Sequence, residues 1–112
     1  MKIAVPVEGG KLFPHFGHCP AFALIDIDEK TKTITAQTEI QAPPHEPGLL
    51  PPWLAKKGVN LIMAGGIGAR ACDLFMQNDI TVISGVPMDT PEALVLSYLA
   101  GTLKTGANSC DH

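Results

Sequence analysis

The sequence predicts a single α/β domain of three layers, in which helices cover both faces of a five-stranded mixed sheet. The chain has 112 residues, of which 46% are hydrophobic and 17% charged, as expected of one compact domain with its own core. Short apolar or alternating runs joined by tight turns fill residues 2–40, which is typical of an antiparallel meander. Beyond residue 49, apolar runs alternate with helical patterns, which indicates parallel strands joined by helices.

The elements follow in chain order. The meander predicts three strands: residues 2–7, 21–28 and 33–40. The second half predicts a helix, a strand, a helix, a strand and a helix: residues 49–57, 59–64, 69–77, 80–84 and 90–99. Because crossovers between parallel strands are right-handed, the expected sheet order is 3-2-1-4-5. The threonine-rich third strand is then an edge strand. We expect the domain to span residues 1–100 and residues 101–112 to form a polar tail.

This topology predicts one functional edge. The third strand runs in the same direction as the first, so the loops that leave strands 1, 3, 4 and 5 emerge on the same side. Four groups of residues lie in those loops: residues 15–19, His45, residues 65–70 and residues 85–89. Ligands of open α/β sheets bind at the carboxyl ends of the strands, so the sequence predicts a single site there.

Charge and hydropathy exclude several classes of partner. Eight basic and eleven acidic residues give a net charge of −3, which argues against nucleic acid because phosphate binding needs a basic surface. The N-terminal residues lack the apolar region of a signal peptide, and no apolar run is long enough to span a bilayer. With three cysteines and no paired pattern, we expect a cytoplasmic protein with reduced thiols and no membrane partner.

His15, His18 and Cys19 form the first candidate metal site. Two imidazoles and a thiol lie within five residues, and these side chains bind borderline and soft metals. The alternative is that one imidazole caps the loop and Cys19 packs as a small hydrophobic side chain. No CxxC or HxxxH pair completes a zinc site, so both interpretations stay open.

Cys110 and His112 form a second candidate ligand pair at the C-terminus. An extended tail rises about 3.3 Å per residue, which is enough for these residues to return to the predicted site. Three interpretations stay open: ligands to a metal in the same chain, ligands shared with a partner, and a frayed tail.

The turn that contains Gly65, Gly66, Gly68 and Arg70 is a candidate anion or cofactor site. It follows a strand and begins a helix, where exposed amides and an arginine favour anions. Its glycines fit a degenerate dinucleotide fingerprint, but that fingerprint belongs after the first strand of a βαβ unit. A close approach of the backbone to a bound cluster or anion explains them better. Cys72, in the following helix, is expected to be a core thiol.

Five segments together carry a family resemblance: MKIAVPV at the start, His15-Phe16-Gly17 with Pro20, Phe22 and Asp26, residues 45–48, VNLIMAGGIGARA, and residues 106–112. In order and spacing the chain resembles the dinitrogenase iron–molybdenum cofactor biosynthesis family, small cluster-binding proteins that include the orange-protein type. The resemblance implies a ribonuclease H-like three-layer fold and a cluster-binding role without catalysis. It also implies that His15 is a ligand, with His45 and the Gly65–Gly68 turn beside it. The roles of His18 and Cys19 rest on their residue types alone.

The leading hypothesis is therefore a non-enzymatic protein that binds, stores or transfers a metal–sulfur cluster of iron–molybdenum, iron–sulfur or molybdenum–copper type. Its expected partners are the cluster and a cofactor-assembly or acceptor protein. One alternative is a regulatory module that binds a small anion or a nucleotide through the Gly65–Arg70 turn. Another is a redox or transferase enzyme that uses Cys19 as its nucleophile.

Overall fold

The computed structural model describes residues 1–13, 19–44, 46 and 48–105. The described residues form nine elements: β1 (Lys2–Glu8), β2 (Lys11–Leu12), β3 (Ala21–Asp28), β4 (Thr33–Gln41), α1 (Leu50–Lys56), β5 (Leu61–Met63), α2 (Ala69–Gln77), β6 (Thr81–Ile83) and α3 (Pro91–Ala100). The fold is thus mixed α/β, as predicted, and α2 has the predicted bounds. The two parallel strands β5 and β6 are shorter than predicted, with three residues each.

The sheet has six strands, in the order β4-β3-β1-β5-β6, with β2 paired to β1 outside that path. β1 pairs antiparallel with β2 and β3 and parallel with β5, and β5 pairs parallel with β6. The prediction of five strands in the order 3-2-1-4-5 is therefore wrong in the number of strands and in their numbering.

The missed strand is a consequence of the turn at Gly9 and Gly10. Both glycines have positive φ, 61° and 81°, as the two central residues of a tight hairpin turn of type I′ require. The turn folds Lys11 and Leu12 back onto Glu8 and Val7. The segment between the first two predicted strands therefore begins with a short hairpin.

Two hydrophobic clusters lie on opposite faces of the sheet. Alternate residues of β1, β3 and β5 pack with Leu94 and Val95 of α3 on one face. The residues between them pack with Leu54 of α1 and Phe75 of α2 on the other face. The sheet is therefore covered by helices on both faces, and we call the second the α1/α2 face.

β4 is an edge strand, as its threonine-rich sequence predicts. Most of its residues are exposed, and it pairs only with β3 along the sheet path. The register shifts between Asp26 and Ile27, which pair with Ala36 and Ile34 respectively, so Thr35 is left as a bulge.

Residues beyond α3 continue onto the core. The amides of Thr102 and Leu103 both donate to the Ser97 carbonyl, at 2.9 and 3.2 Å, and Leu103 packs against the cluster beneath α3. Residues 106–112 lie outside the described residues, so the division into a domain and a polar tail stays a prediction. Among the helices of the described ranges, none has the length and apolar character needed to cross a membrane.

Candidate functional site

The predicted functional edge is held together by backbone hydrogen bonds between loops that are distant in sequence. The Leu12 amide donates to the Asp89 carbonyl at 3.0 Å, which joins the β2 hairpin to the loop before α3. On the far side of the edge, the Ala42 amide donates to the Pro20 carbonyl at 3.0 Å. We call the described loops that meet here the site edge: residues 12–13, 19–20, 42–44, 48–49, 64–70 and 84–90.

The turn after β5 and the loop after β6 lie directly beside each other. The Gly85 amide donates to the Gly65 carbonyl at 2.9 Å, and the Val86 amide donates to the Ala64 carbonyl at 3.1 Å. These bonds continue the β5–β6 pairing past the end of both strands. Two of the loop groups that were predicted to share an edge are therefore adjacent.

The predicted ligand residues are only partly within the described ranges. Cys19 and the Gly65–Arg70 turn are described, and both belong to the site edge. The remaining predicted ligands lie outside the described residues: His15, His18, His45, Cys110 and His112. Among the described residues, no group of three or more His, Cys, Asp or Glu side chains could hold a metal ion. Metal coordination by the predicted residues stays a prediction.

Cys19 is a buried, free thiol. Its side chain is 7% exposed and packs in the cluster on the α1/α2 face. Burial raises the pKa of Cys19 from 9.0 to about 11, and a backbone hydrogen bond opposes part of that rise. The thiol is therefore protonated at neutral pH, whereas both a nucleophile and a metal ligand require the thiolate.

Cys72 is buried, as predicted, but it is not a free thiol. Its side chain is 5% exposed and packs in the same cluster as Cys19. The structure contains Cys72 as a disulfide-bonded residue, so the expectation of reduced thiols is wrong at this position. Residue type and helical position predicted its burial, but neither indicates whether the thiol forms a disulfide.

The N-terminus of α2 has no side-chain cap. Gly68 is the N-cap residue, with φ −74° and ψ 155° and no side chain to accept a hydrogen bond from the first turn. This backbone conformation is open to any residue, and a Cβ atom built at Gly68 meets nothing within 4 Å. Neither backbone strain nor crowding therefore requires glycine here, and its effect is to leave open space in front of the helix.

Arg70 lies in the first turn of the same helix and is exposed. It lines a surface cavity of about 410 Å³ together with Gly48, Ala71 and Leu74. Gly48 follows β4 by seven residues, so this cavity joins the loop between β4 and α1 to the beginning of α2. The segment that contains His45 is thus adjacent in sequence to a residue that reaches the predicted anion turn.

Ser84 is a site-edge residue that the sequence reasoning missed. It is 3% exposed, and its Oγ atom has no hydrogen-bond partner among the described residues. Met63 pairs with Ile83 in the β5–β6 register, so Ser84 follows beside Ala64. Ile80 and Val82 belong to the α1/α2 cluster, and side-chain alternation puts Ser84 on that same face. The only sequence signal is a serine that ends the apolar run ITVIS before a glycine.

The N-termini of the three described helices lie at the same edge of the sheet. In the described part of the chain, α1, α2 and α3 all begin at the site edge, so the positive ends of their dipoles point to it. The α3 terminus is already compensated, because Thr90 Oγ1 accepts from the Ala93 amide at 3.3 Å and Glu92 lies in the first turn. The α2 terminus has neither a side-chain cap nor an acidic residue in its first turn.

The chain is similar to one described family over nearly its whole length. The protein-family model described as "Dinitrogenase iron-molybdenum cofactor" matches residues 1–101. An uncharacterised protein of Methanocaldococcus jannaschii, MJ0580, is 32% identical over 107 residues, which cover 93% of this chain and 90% of that protein.

Two solved structures have the same fold. The crystal structure of PH0822 gives a TM-score of 0.86 at 27% identity and covers 94% of each chain. The apo form of the orange protein (ORP) from Desulfovibrio gigas gives a TM-score of 0.74 at 25% identity, covering 95% of this chain and 92% of that one. The family model matches residues 1–101, and the relatives named above match over at least nine-tenths of their length, so this chain belongs to the dinitrogenase iron-molybdenum cofactor family.

Proposed function

We propose that this protein binds, stores or transfers an anionic metal–sulfur cluster at the site edge, without catalysing a reaction. Membership of the family links the chain to the handling of the iron–molybdenum cofactor or a related metal–sulfur cluster. The observation that carries the location is the uncapped N-terminus of α2 at an edge where loops distant in sequence are hydrogen-bonded together. Such a terminus favours a negatively charged ligand.

The donor groups of the site edge fit cargo that is assembled elsewhere. Within the described ranges the edge offers amides, Arg70 and a serine hydroxyl, and no set of three potential ligands. The thiol of Cys19 is protonated at neutral pH, which supports a role other than nucleophilic catalysis. We propose that His15, His18 and His45 contribute metal ligands, that Cys19 and His112 do so in the loaded state, and that Cys110 does so in a form of the chain with reduced thiols.

We propose a ribonuclease H-like fold, a cluster of iron–molybdenum, iron–sulfur or molybdenum–copper type, and a cytoplasmic location. The protein that receives the cluster is proposed to be a cofactor-assembly or acceptor protein, since a carrier needs a destination.

Anaerobic reconstitution tests the proposal. The purified chain is incubated with iron, sulfide and molybdate, or with tetrathiomolybdate and copper(I), and is then separated from unbound metal on a desalting column. We expect a coloured protein with stoichiometric metal and sulfide by elemental analysis. The variant His15→Ala should retain several-fold less metal, because a cluster that loses a ligand dissociates faster.

The matched control is Met76→Ala, which removes an exposed side chain from the far end of α2. It should retain as much metal as the unmodified chain. Equal retention by His15→Ala and Met76→Ala would contradict the assignment of His15, and absence of retained metal in every mixture would contradict cluster binding.

A second function is favoured by one observation. Arg70 and the uncapped α2 terminus would also suit a regulatory module that binds a small anion or a nucleotide. A thermal-shift screen against nucleotides and phosphates distinguishes the two functions. A shift in melting temperature with one nucleotide, together with no retention of metal, would favour the regulatory module.

A further inference from the structure

We infer that Ser84 and the first turn of α2 form an anion-binding subsite that holds the cargo through hydrogen bonds and not through metal coordination. The inference deepens the proposed function, and it rests on that function for the identity of the cargo. The binding of an anion at this place rests on the structure alone.

The first part of the subsite is the set of amides that begin α2. In an α-helix the first amides have no partner inside the helix. Here the Cys72 amide is the first to bond within the helix, to the Gly68 carbonyl at 3.1 Å. The amides of Ala69, Arg70 and Ala71 precede it, and no side chain caps this end of the helix. With nine residues, α2 is long enough to have a dipole.

The second part, Ser84, is an independent observation. A buried hydroxyl without a hydrogen bond is costly, so it is found mostly where another group completes it. Ser84 is more than nine-tenths buried, and its Oγ atom has no partner among the described residues. Ser84 lies beside Ala64, the residue directly before the Gly65–Arg70 turn, and alternation along β6 puts its side chain on the α1/α2 face, which α2 covers. A ligand at that turn would supply the missing acceptor.

The open space and the positive charge at the beginning of α2 favour an anion as the ligand. Gly68 leaves its surroundings open, since a Cβ there meets nothing within 4 Å. Arg70 adds a positive charge at the cavity that it shares with Gly48. The amides of the first turn and the guanidinium are hydrogen-bond donors only, and the Ser84 hydroxyl can both donate and accept. The first turn of α2 contains no acidic side chain.

The chemical class that fits is a compact anion whose outer atoms accept hydrogen bonds. Thiometallates and metal–sulfur clusters present sulfide, whereas molybdate and phosphate present oxygen, and these are the two sources to distinguish. We assign the subsite to sulfide-bearing cargo, because the family links the chain to such clusters.

The test is an NMR titration of the ¹⁵N-labelled full chain with three separate probes: tetrathiomolybdate, molybdate and phosphate. We expect saturable shifts in the amides of Ala69, Arg70, Ala71 and Ser84 with tetrathiomolybdate, and at least tenfold weaker binding of phosphate. Equal or stronger binding of phosphate would overturn the assignment to sulfide-bearing cargo. Absence of saturable shifts with any of the probes would overturn the subsite itself.

Two variants separate the subsite from general effects on folding. Gly68→Asp supplies a capping carboxylate at the helix terminus, so it should keep or raise the melting temperature while weakening binding at least tenfold. Ser84→Ala removes one donor and should weaken binding about threefold to tenfold, whereas Ser97→Ala, a serine in the second half of α3, should have no effect. Unchanged binding by Gly68→Asp would overturn the inference.

The outcome also separates this inference from the proposed function. If the reconstituted cluster is retained equally by Gly68→Asp and by the unmodified chain, the subsite is wrong and cluster binding stands. If tetrathiomolybdate binds at these amides but no cluster is ever retained, the subsite stands and the proposed function is wrong.

Discussion

Ser84 gives a stability prediction that is independent of any ligand. Its buried Oγ atom has no partner among the described residues, so Ser84→Ala removes an uncompensated hydroxyl. We expect the free energy of unfolding of the unliganded chain to rise by about 1 kcal/mol, measured by urea denaturation. Ser97→Ala serves as the control and should give no increase. A loss of 1 kcal/mol or more in Ser84→Ala would mean that the hydroxyl is hydrogen-bonded in solution.

The buried thiol of Cys19 should make the free energy of unfolding fall at alkaline pH. Burial raises the pKa of its thiol from 9.0 to about 11 in the folded chain, so the unfolded chain loses the proton first. The contribution of the Cys19 thiol to the free energy of unfolding is fully present below pH 9 and is lost as the pH rises through about 11. We expect the unmodified chain to lose about 1–2 kcal/mol more than Cys19→Ala across this range.

Denaturation curves at pH 8, 9, 10 and 11 check this difference, and comparison with Cys19→Ala cancels every contribution that the two proteins share. Parallel pH profiles for the two proteins would contradict the prediction.

At the scale of single residues, the sequence identified candidate ligands by their chemistry and missed Ser84. Histidine and cysteine stand out in any position because few other side chains bind soft metals. A serine is common everywhere, and its role here depends on the register that puts it beside Ala64 and on its burial. Neither property can be obtained from a residue type.

At the scale of elements, two glycines allow a matched comparison. A Cβ atom at Gly10 or at Gly68 meets nothing within 4 Å, but φ is +81° at Gly10 and −74° at Gly68. Gly10→Ser should therefore cost about 1–2 kcal/mol in unfolding free energy because of the left-handed backbone. Gly68→Ser should be neutral or stabilising by a few tenths of a kcal/mol, because serine is a good N-cap residue. Equal losses from the two substitutions in urea denaturation would contradict this explanation.

The elements that the sequence predicted well are those with local signals. Thr90 followed by Pro91 and Glu92 predicted the beginning of α3, and the Thr90 cap is present. The hairpin at Gly9 and Gly10 was missed because β2 has only two residues, too few for an alternating pattern to appear. Its pairing with β1 comes from the turn and not from the strand sequence.

At the scale of the whole molecule, the helix dipoles that end at the site edge predict that an anion binds there more weakly at high salt concentration. The net charge is −3, yet the described helices all direct their N-termini to this edge. The attraction of an anion is screened over about 10 Å in 0.1 M salt and about 3 Å in 1 M salt. We expect tetrathiomolybdate to bind several-fold more weakly in 1 M sodium chloride than in 0.1 M, as measured by equilibrium dialysis. Affinity that is independent of salt would indicate binding through apolar contacts or direct coordination.

The grouping of the loops at one edge of the sheet could be predicted from topology, because strand direction alone determines which loops share an edge. The contacts between those loops could not be predicted, because they depend on hydrogen bonds such as the one that the Gly85 amide donates to the Gly65 carbonyl. The disulfide at Cys72 could not be predicted either, because neither the residue type nor the helical position of a cysteine indicates whether it is bonded.

The bulge at Thr35 has a consequence for how copies of the protein behave at high concentration. A long, flat edge strand is a template on which another chain can add its own strand and begin an aggregate. In β4, the bulge at Thr35 interrupts the regular spacing of backbone donors and acceptors, and Glu39 adds a charge to the remaining straight segment. The bulge and the charge therefore oppose the pairing of β4 with the edge strand of another molecule at high concentration. This protection against aggregation does not depend on β6, at the opposite end of the sheet.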